Sequence, residues 1–211
     1  MSQSHNIPIT KVTLGGVIIK MPMPEQVIDD INRIYDKNVS EMEPYHNQLA
    51  GKIKKEHLIT DHLSDEIKTV FKSAFEYYLR EIQRDDQYVA HPDRGWVNDM
   101  KAGEYNPFHY HTGMKSEVGI SSVLILKRPN TYGKEIVTPD NPHNGHLEFL
   151  GNDSSPIAVS QLRVDAQVGD FFMFPYTMLH GVYPFTGTKQ VRRTLSYNCD
   201  LIRSKKKYER T

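Results

Sequence analysis

The sequence holds a single cysteine, Cys199, so no disulfide can close within the chain, and a reducing compartment is the simplest setting for it. It holds no excess charge of either sign. Lys plus Arg number 26 and Asp plus Glu number 26, which removes the global basic field a nucleic-acid partner would use. Long apolar runs are missing as well: no stretch approaches the roughly 20 residues of a membrane span. The opening MSQSHNIPIT has no charged start leading into an apolar segment, so no secretory signal is expected. These absences lead us to expect a soluble, intracellular (cytoplasmic) protein with no nucleic-acid or membrane partner. At 211 residues the chain can bury most of the surface that it exposes unfolded, so neither a metal nor a crosslink is needed merely to fold it. One local departure from charge balance is RSKKKYER at the C-terminus, read as a solvated basic tail.

What is present divides into a short helical part and a long β part. KVTLGGVIIKM (residues 11–21) is rich in β-branched residues and reads as a strand with a bulge or tight turn at Gly15 and Gly16. PEQVIDDINRIYDKN follows as a helix, with Pro24 suited to its first turn and Val27, Ile28, Ile31, Ile34 and Tyr35 on one face. Residues 38–62 carry mixed polar signals and read as a surface loop. SDEIKTVFKSAFEYYLREIQR is a second helix, with Ser64 as N-cap. Its stripe of Ile67, Val70, Phe71, Ala74, Phe75, Tyr78, Leu79 and Ile82 has the spacing of a core face; such stripes line ligand grooves far less often.

Beyond Tyr88 the helical period disappears. Short strands are expected at 95–101, 107–112, 118–127, 145–150, 157–164, 170–175, 181–185 and 191–201, separated by turn signals such as RPNTYG and PDNPHNG. The expected fold is mainly β, of the α+β kind: a double-stranded β-helix (jelly roll) with the N-terminal helices packed on its outer face. One domain is expected over 1–211. It comprises a strand and supporting helices over 1–90, a jelly-roll core over 91–202 and the basic tail over 203–211.

Most of the ten histidines need no special account. His5, His46, His57, His62, His91 and His143 sit in polar or turn-like contexts and are expected to be exposed, and His146 is less clear. His109 and His111 differ, because two residues apart in a strand they leave from the same face. Such a pair can chelate one ion, or both rings can simply find backbone partners. His180 in VGDFFMFPYTMLHGVYPF follows a later strand that an antiparallel roll can bring opposite the pair. Three converging imidazoles suit divalent iron, and zinc or copper less specifically. In QVRRTLSYNCD, Arg192, Thr194, Ser196 and Asn198 share one strand face. If that face is interior, Arg192 needs an anion, which is either a ligand carboxylate or a protein Asp or Glu.

The order of these pieces resembles the Fe(II)- and 2-oxoglutarate-dependent dioxygenases, particularly their prolyl-hydroxylase-like branch, over roughly residues 95–200. HYH, SSVLILKRP, NGHLEF, GDFFMFPYTMLHG and RRTLSYN stand in the family's order. The resemblance implies iron held by His109, His111 and His180. It implies a salt bridge from Arg192 to the C5 carboxylate of 2-oxoglutarate, with Thr194 or Ser196 assisting, and Ser121 and Ile125 lining the pocket. The implied activity is hydroxylation of a C–H bond, with a prolyl residue of a peptide or protein as the first candidate and ascorbate as a reductant. Trp96, Asn98, Met100 and Tyr176 are candidate pocket walls or core residues. Some relatives place a Tyr near Ile125 to bind the same carboxylate, so its absence shifts that load to another hydroxyl. The larger departure is His111, which occupies the place of the usual carboxylate ligand. A second register, in which His111-Thr112-Gly113 is a halogenase-like His-x-Gly string and His109 stands behind it, fits the same residues. Two other readings remain open at this level. One is a cupin-like zinc or iron enzyme that does not use 2-oxoglutarate; the other is a non-enzymatic jelly-roll binding module.

Overall fold

The two helices are placed by their apolar faces. In the computed structural model, which describes residues 10–13, 16–135, 140–151 and 160–204, α1 (Glu25–Asn38) has Pro24 as its N-cap and buries Ile28, Ile31 and Tyr35. α2 (Asp65–Glu81) begins at Ser64, whose hydroxyl accepts from the Ile67 N–H at 3.3 Å. Asp65 and Glu66 sit at the positive end of its dipole. Six members of its stripe, Ile67, Phe71, Ala74, Phe75, Tyr78 and Leu79, are buried. No helix among the described residues is long and apolar enough to cross a membrane.

The remainder is mainly antiparallel β. β1 (Thr10–Thr13), β2 (Val17–Pro22), β3 (Glu56–Leu58), β4 (Tyr88–Met100), β5 (Asn106–His109) and β6 (Gly119–Lys127) come first in the chain. β7 (Leu147–Leu150), β8 (Gln161–Val164), β9 (Asp170–Pro175), β10 (Leu179–Val182) and β11 (Arg192–Arg203) follow. A seven-stranded sheet runs β1-β2-β9-β6-β11-β4-β3, and a four-stranded sheet runs β5-β10-β7-β8.

Strand alternation sends the large sheet's side chains to two different cores. Ile19, Leu124, Phe171, Leu195 and Tyr197 join the buried faces of both helices. Ile18, Val123, Ile125, Phe172 and Phe174 join Leu147, Phe149 and Val182 of the small sheet. This two-sided burial explains why GISSVLIL in β6 reads as an almost unbroken apolar run: neither of its faces meets water. Phe71 meets Phe171 and Tyr197 edge-on at 5.4 and 5.1 Å between ring centroids. Truncating it to alanine is expected to cost about 3–5 kcal/mol.

Three local expectations are corrected. The 11–21 strand is a hairpin, β1 pairing antiparallel with β2; Gly15 lies outside the described residues, as do 157–159 and the tail from 205 onward. Residues 38–62 are not a surface loop. Met42, Tyr45, Ile53, Glu56 and Ile59 are buried there, and β3 adds to the edge of the large sheet beside β4. A three-residue strand is too short to show a period, and its carboxylate gives it a polar look. Finally, His46, His57, His62 and His143 are half-buried, and only His91 of the expected surface set is exposed, while His5 lies outside the described residues. His57 shows why: its Nδ1 lies 3.0 Å from the Tyr35 hydroxyl in the seam between β3 and α1.

Candidate active site

β11 sorts its side chains by parity. Arg193, Leu195, Tyr197 and Cys199 face α1 and α2, whereas Arg192, Thr194 and Ser196 line a cavity between the two sheets. The adjacent arginines therefore meet opposite surroundings. Arg193 donates to both oxygens of Asp99, from Nε at 2.5 Å and Nη2 at 2.8 Å. It also pairs with Asp36 (2.7 Å) and lies over the Tyr35 ring. Those carboxylates hold its charge firmly, with its pKa above the ordinary arginine value despite burial.

Arg192 is only 3% exposed, and among the described residues no carboxylate pairs with it. It hydrogen-bonds Tyr132, but its Nε and Nη2 are buried with no partner. Burial lowers its pKa from the ordinary arginine value. A buried guanidinium with free donors is costly unless an anion completes it. Thr194 and Ser196 stand beside it on β11, both accepting from Asn98 Nδ2, at 3.2 and 3.3 Å.

The three histidines gather at one end of the same region. β5 ends at His109, short of the expected strand end at 112. His111 lies beyond it, fixed by its N–H to the Tyr176 carbonyl (2.9 Å). Antiparallel pairing sets His180 of β10 directly opposite His109. Their ring centroids are 4.3 Å apart, and His111 lies 5.0 Å from His109 and 5.1 Å from His180. One nitrogen from each ring falls within a 4.8 Å group.

The tautomers follow from the backbone. His109 Nδ1–H donates to the Pro107 carbonyl (2.7 Å) and His180 Nδ1–H to the Met178 carbonyl (2.9 Å), leaving Nε2 lone pairs inward. His111 Nε2 and His180 Nε2 are only 3.2 Å apart. Burial holds all three rings neutral: His111 is pushed down to about 3, His180 well below the usual imidazole value, and His109 also lowered. Inward lone pairs on neutral rings are the donor set that a divalent transition metal needs.

Other expected residues are placed as follows. Trp96, Asn98 and Met100 line the cavity with Thr194 and Ser196. Tyr176 does not; its hydroxyl donates to Asp200 at 3.0 Å. Ser121 also lies outside the lining, its hydroxyl donating to Asn198 Oδ1 at 3.2 Å. Ile125 is buried in the core behind the cavity. His146 sits away from the triad beside Asp165. Gly113 fits only as glycine, because a Cβ there would collide with the Asp200 carboxylate and the Ser116 carbonyl.

Sequence reasoning missed three polar residues. Tyr132, in the loop after β6, supplies a hydroxyl to Arg192 where some relatives use a strand residue. Glu56 on β3 and Asn106 on β5 both line the cavity. Glu56 had no signal beyond the turn-like composition around it; Asn106 had none either, because three residues before His109 strand parity assigns it to the other face, and an irregularity in the β5–β10 register brings both to the cavity.

A family model described as a 2OG-Fe(II) oxygenase matches residues 94–198, about half of the chain, running from β4 through β11 and so spanning all three histidines and Arg192. No curated protein sequence matches the chain. Among solved structures, a prolyl-4-hydroxylase from Pseudomonas putida is similar at TM-score 0.55 and 12% identity, covering 92% of each chain. A Trichoplax adhaerens prolyl hydroxylase, solved with a peptide fragment of the hypoxia inducible factor oxygen degradation domain, is similar at TM-score 0.57 and 13% identity, over 89% of this chain and 84% of that one. The viral collagen prolyl hydroxylase of Paramecium bursaria Chlorella virus-1, in its 2-oxoglutarate complex, is similar at TM-score 0.54 and 13% identity, over 89% and 96%. At these identities the structures share a fold.

The fold and the matched segment together define a non-haem iron oxygenase. The chain belongs to the 2OG-Fe(II) oxygenase superfamily and is an enzyme that uses Fe(II) and 2-oxoglutarate. Membership sets aside the reading as a binding module and the reading as a cupin-like enzyme without 2-oxoglutarate.

Proposed function

We propose that this enzyme hydroxylates a C–H bond of a peptide or protein, with a prolyl residue as the first candidate, on iron held by His109, His111 and His180. The reading treats the chain as one domain. In it, residues 91–202 form a double-stranded β-helix, and the helices of residues 1–90 cover its outer face. The observation that carries it is the pairing of two incomplete groups in one region: three neutral imidazoles with convergent nitrogens, and a buried Arg192 with two free donor nitrogens.

When bound, Fe(II) supplies dioxygen activation coupled to oxidative decarboxylation of 2-oxoglutarate, so that one oxygen atom enters the substrate C–H bond and the other enters succinate. The chain's own residues bind and orient. Arg192 takes the C5 carboxylate of 2-oxoglutarate in a charge-assisted contact, with the Thr194 and Ser196 hydroxyls beside it. Tyr132 contacts the guanidinium as well. Trp96, Met100, Val123 and Leu147 wall the cavity and keep water from it.

His109 belongs with the other two rings by position, which favours the three-histidine register over the halogenase-like one. His111 is oriented by Asn198, whose amide lies 3.5 Å from His111 Nδ1 and contacts Ser121. Turning that amide so that Oδ1 accepts from His111 Nδ1–H leaves Nδ2 to donate to Ser121, and frees His111 Nε2 for the metal. A peptide substrate is supported by the apolar rim near the triad. Tyr105, Phe108, Tyr110, Met114 and Leu179 are exposed on the segments that carry the histidines. Incubating the Fe(II) enzyme with 2-oxoglutarate, ascorbate and proline-rich peptides tests the reading. Succinate should form together with a peptide gaining one oxygen atom. Succinate formation that no peptide stimulates would refute the peptide assignment.

A further inference from the structure

The cavity has a second pole that the anchoring of 2-oxoglutarate does not use. Two strands from Arg192 in the large sheet, Glu56 of β3 lines it with Leu49, Ala50 and Ile53, and Asn106 of β5 lines it from the small sheet. Glu56 is 1% exposed, and its Oε2 has no hydrogen-bond partner. Asn98 Oδ1 and Asn106 Oδ1 are likewise buried acceptors with no partner. These three oxygens belong to one neighbourhood. Glu56 is the cross-strand partner of Asn98 in the β3–β4 ladder. A Cβ built on Gly51 would touch Glu56 Oε1 at 3.2 Å and Asn106 Oδ1 at 3.4 Å, so glycine there keeps the space in front of both open. With its Nδ2 given to the Thr194 and Ser196 hydroxyls, Asn98 keeps Oδ1 as the acceptor left over. The cavity thus offers unpaired donors at Arg192 and unpaired acceptors at Glu56, Asn98 and Asn106.

Such a polarity specifies its ligands. A dicarboxylate is drawn to Arg192 and repelled by Glu56, so the acceptor pole is left for the other substrate. Three acceptors, one of them a carboxyl, match the three N–H donors of a protonated primary amine. We infer that Glu56, with Asn98 and Asn106, forms the recognition site for an ammonium group carried by the primary substrate. This rests on the oxygenase reading for the word "primary", but the acceptor pole itself exists without metal or 2-oxoglutarate. The ionisation of Glu56 is consistent with this role. Burial, and then the nearby Glu104, raise its pKa to about 7, the mark of a carboxylate lacking the counter-charge that a cation would provide.

Three probes built on the same four-carbon side chain test it by calorimetric titration into the anaerobic Fe(II)- and 2-oxoglutarate-loaded protein. Nα-acetyl-lysinamide carries a side-chain ammonium, norleucinamide an amino-terminal one, and Nα-acetyl-norleucinamide none. At least one cationic probe should bind about 10-fold or more tighter than the neutral one, from the usual strength of a hydrogen bond to a charged group. Which of the two binds tells whether the natural amine is a side chain or a chain terminus. Glu56→Gln should erase the preference while 2-oxoglutarate still binds. Asn106→Ala should reduce it several-fold, and it serves alone if Glu56→Gln does not fold. No preference in the wild type, or a preference that survives these substitutions, overturns the inference. A parallel titration of 2-oxoglutarate into the Fe(II)-loaded protein separates the two readings: amine preference with no 2-oxoglutarate binding there would sink the proposed hydroxylase mechanism and leave the amine site standing.

Discussion

Arg192 and Arg193 are consecutive residues of β11 with opposite fates: Arg193 is neutralised by Asp99 and Asp36, while Arg192 reaches the cavity with Nε and Nη2 unpaired. One side chain completes the fold and the other waits for a ligand. The pair therefore separates stability from binding. Arg192→Ala should weaken 2-oxoglutarate binding by about 30-fold or more, the equivalent of losing the partner of a buried carboxylate at roughly 2–5 kcal/mol. Arg193→Ala should leave that affinity almost unchanged but lower stability by about 3–5 kcal/mol, because Asp99 would stay buried without its counter-charge. Co-substrate titration and chemical denaturation of the two variants read the two effects independently.

The histidines make a second prediction. One Fe(II) per chain should bind, and replacing His109, His111 or His180 by alanine should each sharply weaken it, as followed by metal analysis after gel filtration. His111→Asp should retain iron, since it restores the commoner two-histidine, one-carboxylate set. Full iron retention in His109→Ala would instead favour the register in which His109 stands behind the metal.

Asn198 makes a third. Its amide bridges Ser121 and His111, so Asn198→Ala should leave the ligands in place yet lower metal affinity by about 10–100-fold, the usual effect of removing a partner that orients a ligand. Competition with a chromophoric chelator measures it.

Glu56 makes a fourth, on pH. Its folded pKa, about 7, is raised above the unfolded carboxyl value of 4.5, so the folded state binds the proton more tightly. The stability that this proton contributes is present below about 4.5 and is lost as pH rises toward 7. The loss comes to about 3 kcal/mol, because a proton-affinity difference is worth about 1.36 kcal/mol for each pH unit that separates the two values. Glu104 faces Glu56, and Arg192, His109 and His180 line the same cavity, so Glu56→Gln isolates its share. In the ligand-free protein that substitution should flatten the decline between about pH 4.5 and 7. Thermal melts at several pH values decide it.

The β part was legible because alternation and turn chemistry survive in one dimension. The expected strands at 118–127 and 170–175 correspond closely to β6 and β9, and the parity of RRTLSYN separates the two arginines as the fold does. The histidines were legible because two residues apart is a geometric statement in a strand, and because the order of motifs resembled a family. Glu56 was not. Its position depends on β3 pairing with β4, a contact some forty residues distant that nothing in KIKKEHLIT encodes by period. Tyr132 reaches Arg192 from a loop, where side-chain direction has no period at all. Polar groups buried by long-range pairing are what a linear reading loses.

The most direct test of the central claim is an anaerobic titration of 2-oxoglutarate into the Fe(II)-loaded protein, following the metal-to-ligand absorption band of the complex. The account predicts that the band grows to one equivalent in the wild type, persists in Arg193→Ala, needs much higher 2-oxoglutarate in Arg192→Ala, and is absent in His180→Ala for want of iron. A wild-type protein that binds iron without developing the band, or an Arg192→Ala protein that titrates like the wild type, would contradict it.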